Sequence, residues 1–262
     1  MSFRSHDFNH LVKFNSAVSS EFLNSYETNL NNKLIEKSKE RPSKTFAPSS
    51  FRCDRLSWFR LRGVSPDTVS CPDITLYFSA EIGTACHRIL QSNLRDFLGD
   101  RWIDVSEYLQ SVYDDNSKYS TSSSSDGIET LVEVFDPPVR FAVDGIINLD
   151  DTYYLLEIKS SEYSSWNDLT DPKPNHIDQV KCYCTLLKLN KVLFIYIDRQ
   201  YGGLKCFEYN VSLEDQQIIE KRFSDIMKFV EYGIAPEGLP KNDYNCTPNM
   251  CPYFRTCQEY GR

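Results

Sequence analysis

The apolar residues of this chain change period along its length. Up to about residue 98 they recur every three to four positions, the spacing of one helix face. Leu11, Phe14, Val18, Phe22 and Leu23 predict one or two helices ending before the Arg-Pro-Ser-Lys stretch at residue 41. "FAPSSFRCDRLSWF", residues 46–59, predicts a short helix carrying Cys53, with Ser49 or Ser50 as its N-cap after Pro48. From Glu81 to about Leu98 the helical period runs through Ile82, Ile89, Leu90, Leu94 and Leu98. Residues 114–127, "DDNSKYSTSSSSDG", read as a mobile serine-rich loop.

Beyond that loop the period shortens. "TLVEVF", "VRFAVDGIINL" and "TYYLLEIKSS" predict three strands, and "PNHIDQVKCYCTLLKLN" a helix with Pro174 at its start. "KVLFIYIDRQ" and "LKCFEYNV" predict two more strands around Gly202 and Gly203. "EDQQIIEKRFSDIMKFVEYG" predicts an amphipathic helix closing on Gly233. No internal repeat is visible. The expected fold is α/β, with a mixed central sheet flanked by helices.

Within "LLEIKSS", Glu157 and Lys159 lie two apart on a strand and so share one face. If the preceding strand returns through a hairpin about Asp150-Asp151, opposed residues have numbers summing to 301. Asp144 then lies across from Glu157, and Asp144, Glu157 and Lys159 cluster. Two carboxylates at one spot repel unless a positive group sits between them, and a hard divalent ion takes carboxylate oxygens readily. A metal, an activated water and a neighbouring cation suit phosphodiester hydrolysis. The bland alternative is an exposed ladder of ion-paired charges.

Composition narrows the setting. At 262 residues, with 40% hydrophobic and 25% charged positions, the chain can build a sizeable core. The longest apolar run, "VLFIYI", is too short to span a bilayer, and "MSFRSHDFNH" lacks a secretory signal's apolar core. The expectation is a cytoplasmic protein with no membrane partner, in a host cytoplasm if it is phage-encoded. A net charge of −8 excludes a generally basic coat. One window is basic: Arg41, Lys44, Arg52, Arg55, Arg60 and Arg62 stand against Asp54 alone. It reads equally as a solvated surface or as nucleic-acid contact. Trp58 and Phe59 within it are either stacking groups or core.

The run "VDGII" followed by "LLEIKSS" resembles the Asp…Glu-x-Lys core of the PD-(D/E)XK nuclease superfamily. "GTACH", with Gly83 and His87, and "QVKCY", with Gln179 and Tyr183, are similar to the flanking motifs of its RecB-like branch. The order His, Asp, Glu-x-Lys, Gln-x-x-x-Tyr is the branch's own, and the resemblance covers about residues 45 to 260. It implies a restriction-endonuclease-like fold and a metal-dependent deoxyribonuclease, chiefly an exonuclease on single strands or duplex ends. His87, Asp144 and Glu157 are the implied ligands of Mg²⁺ or Mn²⁺, with the Ile158 carbonyl a further one. Lys159 acts on the nucleophile, while Gln179 and Tyr183 steady the site or the DNA backbone. Glu81 and Glu133 lie near the motifs as candidates for a second metal. The expected partner is DNA, single-stranded or end-containing, beside a replication or recombination protein. A second class of answer is a nuclease-like module that holds DNA ends without cutting.

Nine cysteines in a chain without an export signal are expected as thiols or metal ligands rather than disulfides. Cys246, Cys251 and Cys257 fall within twelve residues, and a stable site usually needs a fourth thiolate. The RecB-like branch includes the bacterial AddB proteins and the CRISPR-associated exonucleases, which carry a 4Fe-4S cluster on one upstream and three downstream cysteines. The resemblance implies that Cys53, Cys246, Cys251 and Cys257 hold such a cluster, structural Zn²⁺ being the alternative. The Cys246–Cys251 spacing is wider than the family's. Cys71 rivals Cys53, whereas Cys86, Cys182, Cys184 and Cys206 read as small hydrophobes. The implied organisation is a helical extension over 1–48 and a nuclease domain over 49–262, with cysteine segments at 49–62 and 240–262.

Overall fold

The computed structural model describes residues 17–39, 44–67, 74–124, 129–248 and 250–260. Leu11, Phe14, Arg41 and Cys71, all named above, lie outside them. The chain divides into two units, residues 1–41 with 69–78, and residues 42–68 with 79–262. Described residues of the first unit are helix α1 (Ala17–Lys39) and the opening of a longer helix up to Phe78.

The second unit runs through α2 (Asp54–Leu61), the rest of α3 (Ile74–Leu98), β1 (Trp102–Ile103), α4 (Val105–Val112), β2 (Tyr119–Ser123), β3 (Thr130–Phe135) and β4 (Pro138–Val143). It continues through β5 (Gly145–Leu149), β6 (Thr152–Ser161), α5 (Tyr163–Asn167), α6 (Pro174–Leu187), β7 (Lys191–Asp198), β8 (Leu204–Asn210), α7 (Leu213–Tyr232) and α8 (Phe254–Glu259). The central sheet has the order β1-β5-β6-β7-β8. It is mixed: β6 and β7 are parallel, joined by the α6 crossover, and the other pairs are antiparallel. A second sheet, β2-β3-β4, is antiparallel throughout. The fold is thus α/β, a mixed central sheet flanked by helices.

Strand parity sorts the core into two faces. Leu155, Val192, Phe194 and Ile146 pack with Val180 and Leu187 of α6 and with Phe223 and Ile226 of α7. Leu156, Ile158, Ile147 and Ile195 pack instead with Leu90 and Leu98 of α3. Covered on both sides, β6 is apolar at consecutive positions, and its one buried acid stands out.

Three expectations are corrected. "VRFAVDGIINL" is not one strand: it breaks at Asp144 into β4 and β5, which belong to different sheets. The serine-rich stretch is not a loop throughout, because β2 pairs with β3 from Tyr119 to Ser123 and buries Tyr119. Residues 125–127 of that stretch lie outside the described residues. Cys53 does not ride on a helix opened by Ser49 or Ser50. Pro48 instead starts a single 3-10 turn closed by the Phe51 N–H on its carbonyl, and Cys53 becomes the N-cap of α2. The short helix α4 and strand β1 carried too few periodic residues to be anticipated.

Candidate active site

The hairpin register is the one the chain's numbering suggested. Gly145 pairs with Leu156 and Ile146 with Leu155, both sums being 301. Asp150 and Asp151 take φ of 49° and 60°, the left-handed pair a two-residue hairpin turn of type I′ requires. This register sets Asp144 just beyond the end of β5, level with Glu157.

Asp144 is held from three sides. Its Oδ2 accepts the Ile158 N–H at 2.6 Å, and its backbone carbonyl accepts Gln91 Nε2 at 2.8 Å. Its Oδ1 lies 3.6 Å from His87 Nδ1. The hydrogen bond to Ile158 is charge-assisted, worth about 1.5–3 kcal/mol, so the carboxylate orientation is fixed by the strand next door. His87 comes from α3, which approaches β6 closely at Gly83: a Cβ there would fall 2.8 Å from Ser160 Oγ. Burial works against the His87 cation, but the Asp144 carboxylate outweighs it and raises the imidazole above its ordinary value.

Glu157 and Lys159 point to the α6 face. They form an ion pair at 2.5 Å, with Glu157 only 2% exposed. Burial pushes the Glu157 carboxyl up, and the Lys159 ammonium pulls the other way. Burial disfavours the Lys159 charge too, yet the Glu157 carboxylate beside it leaves the ammonium raised. Lys159 Nζ also donates to Gln179 Oε1 at 3.1 Å, and Gln179 Nε2 donates to Tyr183 Oη at 2.6 Å. The four-residue spacing on α6 places that pair on one helix face. Tyr183 is buried and stacked on Phe141, so these two residues brace Lys159 from below.

His87, Asp144, Glu157, Ile158, Lys159, Gln179 and Tyr183 therefore lie in one connected neighbourhood. Glu81 is exposed on α3, and Glu133 lies across from Arg140 in the second sheet. The sequence reading missed Glu129. With His87 and Asp144 it forms a set whose ligand atoms all lie within 4.8 Å of one another, the one such three-residue set found among the described residues. An imidazole with two carboxylates suits a divalent cation. Glu129 stood just before a strand with no motif spacing to mark it.

A second neighbour missed by motif reading is His176. Its Nδ1 lies 2.8 Å from Tyr196 Oη, which also accepts the Lys173 N–H at 3.1 Å. Tyr196 is the register partner of Lys159 on β7. Burial first, then the ammonium groups of Lys159 and Lys173, lowers His176 to about 3, which keeps the imidazole neutral.

Cys53, Cys246, Cys251 and Cys257 line one small cavity with Arg55, Leu56, Phe59 and Tyr253. Burial raises Cys251, and each of the other three thiols adds to that rise. Arg55 is buried, donates to the Pro236 carbonyl at 2.6 Å and places an N–H 3.7 Å from Cys257 Sγ. Trp58 and Phe59 are 2% and 1% exposed and belong to this core, which removes them as stacking groups for a strand of DNA. Cys182 and Cys184 are buried beneath the sheet, whereas Cys206 is exposed, contrary to its reading as a buried thiol. No helix among the described residues is long and apolar enough to cross a membrane.

No protein-family model matches the chain, and no curated protein matches it by sequence. Among solved structures it is similar to the crystal structure of SSO0001, at 19% identity over 88% of this chain and 95% of that one, with a TM-score of 0.48. It is also similar to the alkaline exonuclease LHK-Exo from Laribacter hongkongensis, at 14% identity over 76% of this chain and 93% of that one, TM-score 0.39. The same exonuclease in complex with dAMP matches at 13% identity over 73% and 90%, TM-score 0.37. The functional reading rests on this chain's own residues.

Proposed function

We propose that the protein is a metal-dependent nuclease of the RecB-like branch. More particularly, it is a DNA exonuclease working at single-strand or duplex ends in recombination, repair or replication. The observation that carries this reading is the convergence of Asp144, Glu157 and Lys159 at the open end of the β5–β6 hairpin, with His87 reaching in from α3.

His87, Asp144 and Glu157, with the Ile158 carbonyl, are the residues to hold Mg²⁺ or Mn²⁺; the hard oxygen donors and single imidazole fit either ion. Such an ion supplies charge against the phosphodiester oxygens and a water of lowered pKa. The chain's own part follows from the geometry. Ile158 N–H aims the Asp144 carboxylate. Lys159 Nζ stands between Glu157 and Gln179, the Glu157 carboxylate favouring its ammonium form. Lys159 acts on the attacking water or a phosphate oxygen through the hydrogen bonds of its Nζ. Gln179 and Tyr183 limit its rotamers and so contribute to catalysis by positioning.

The four converging cysteines are the proposed holders of a 4Fe-4S cluster. What supports the grouping is that all four cysteines line one small cavity, with structural Zn²⁺ the alternative occupant. The cluster's role is structural, tying the segment before the nuclease core to the tail.

End-labelled linear single strands, linear duplex and covalently closed circles, each with Mg²⁺ or Mn²⁺, test the reading. Digestion of the linear forms with circles left intact is the expected result. Cutting of circles would replace the exonuclease by an endonuclease. Retention of ends without cutting by the folded protein would replace the enzyme by an end-binding module.

A further inference from the structure

We propose that Glu129 is a further ligand of the metal centre, joining His87 and Asp144 on one divalent cation. The inference rests on the metal-dependent reading of the same neighbourhood, and adds a residue that no motif of the sequence marks.

The three donors come from separate parts of the fold: His87 from α3, Glu129 from the residue preceding β3, and Asp144 from the break between β4 and β5. An imidazole nitrogen and two carboxylate oxygens all within 4.8 Å of one another need only small side-chain movements to close on an ion. The two oxygens of Asp144 have different tasks. Oδ2 takes the Ile158 N–H, leaving Oδ1 turned toward His87.

Glu129 is also placed rather than loose. Its N–H donates to Ser124 Oγ at 3.0 Å, and its carbonyl accepts the Ser124 N–H at 2.9 Å. Glu129 and Asp144 both line a cavity of about 400 Å³ together with Arg95, Trp102 and Ser123. That space leaves room for the waters a hard cation retains and for an incoming phosphate oxygen. One nitrogen among oxygens favours Mn²⁺ over Mg²⁺, since nitrogen donors discriminate more strongly toward the transition metal.

The test is a titration of the full-length protein with Mn²⁺ alone, without DNA, followed by loss of the free-ion paramagnetic resonance signal. Glu129→Gln is expected to weaken binding at least about tenfold, since even outer partners of a metal ligand are worth about 10–100-fold. Glu129→Asp, which keeps the charge but shortens the reach, should fall between it and the wild type. Glu133→Gln, across from Arg140, should not differ from wild type. Unchanged binding in Glu129→Gln overturns the proposal, as does no binding by the wild-type protein. Wild-type Mn²⁺ binding that depends on Glu129, in a protein that cuts no DNA, would uphold the ligand assignment and sink the nuclease reading.

Discussion

Asp144 shows how a single residue organises the site. As a strand breaker with a short acidic side chain it ends β4, starts β5 and turns its carboxylate onto the Ile158 amide of the next strand. Its place one step past the Gly145–Leu156 pair, level with Glu157, was legible because hairpin registers obey a fixed sum. The break itself was not legible, since alternating apolar residues continue straight through it. His176 carries a prediction at the same scale. Its imidazole falls from 6.5 to about 3 in the fold, so between those values the unfolded chain binds the extra proton. The neutral imidazole's contribution is fully present above about pH 6.5 and is lost as pH falls toward 3. Urea unfolding at pH 7 and pH 5 should show a smaller loss of stability for His176→Asn than for the wild type. Equal losses in the two proteins would refute the shift.

Among the elements, the β5–β6 hairpin decides the site's geometry, and its turn is under strain. Asp150 and Asp151 both sit at positive φ, where a side chain costs about 1 kcal/mol relative to the residues that tolerate it. Replacing the pair by Asn-Gly relieves that cost in the type I′ geometry. The double variant Asp150→Asn/Asp151→Gly should raise unfolding stability by roughly 0.5–1 kcal/mol with the denaturant slope unchanged. A lower stability would mean the turn is not of this type. Helix α6 was readable from Pro174 and its period, and α7 from Gly233 at φ 69°; Ser212 and Asp215 complete a capping box there. Glu129 and β2 were not readable, because their placement depends on which strands pair and not on any local period.

At the scale of the whole second unit, the segment around α2 and the tail of the chain are tied together by side-chain contacts. Asp67 caps the start of α8 through the Arg255 and Thr256 amides, and Arg52 reaches the Met250 carbonyl at 2.6 Å. Trp58 donates to the Phe229 carbonyl at 3.0 Å. The cysteine spacing in the sequence pointed to this closure, while the role of Arg55 against Cys257 needed the structure. If the cysteines hold an iron–sulfur cluster, Cys251→Ala purified without oxygen should lose iron. It should also melt about 10 °C or more lower, several kcal/mol at about 2–4 °C each. A variant with full iron and an unchanged melt would remove the structural role. Glu157→Ala measures the central claim most directly. Wild type and variant, both purified anaerobically and matched in melting behaviour, are assayed on end-labelled single- and double-stranded DNA with Mg²⁺ or Mn²⁺. Metal-dependent cutting by the wild type with no measurable product from Glu157→Ala is the predicted result. Equal cutting by the two proteins, or none by a folded wild type, would contradict it.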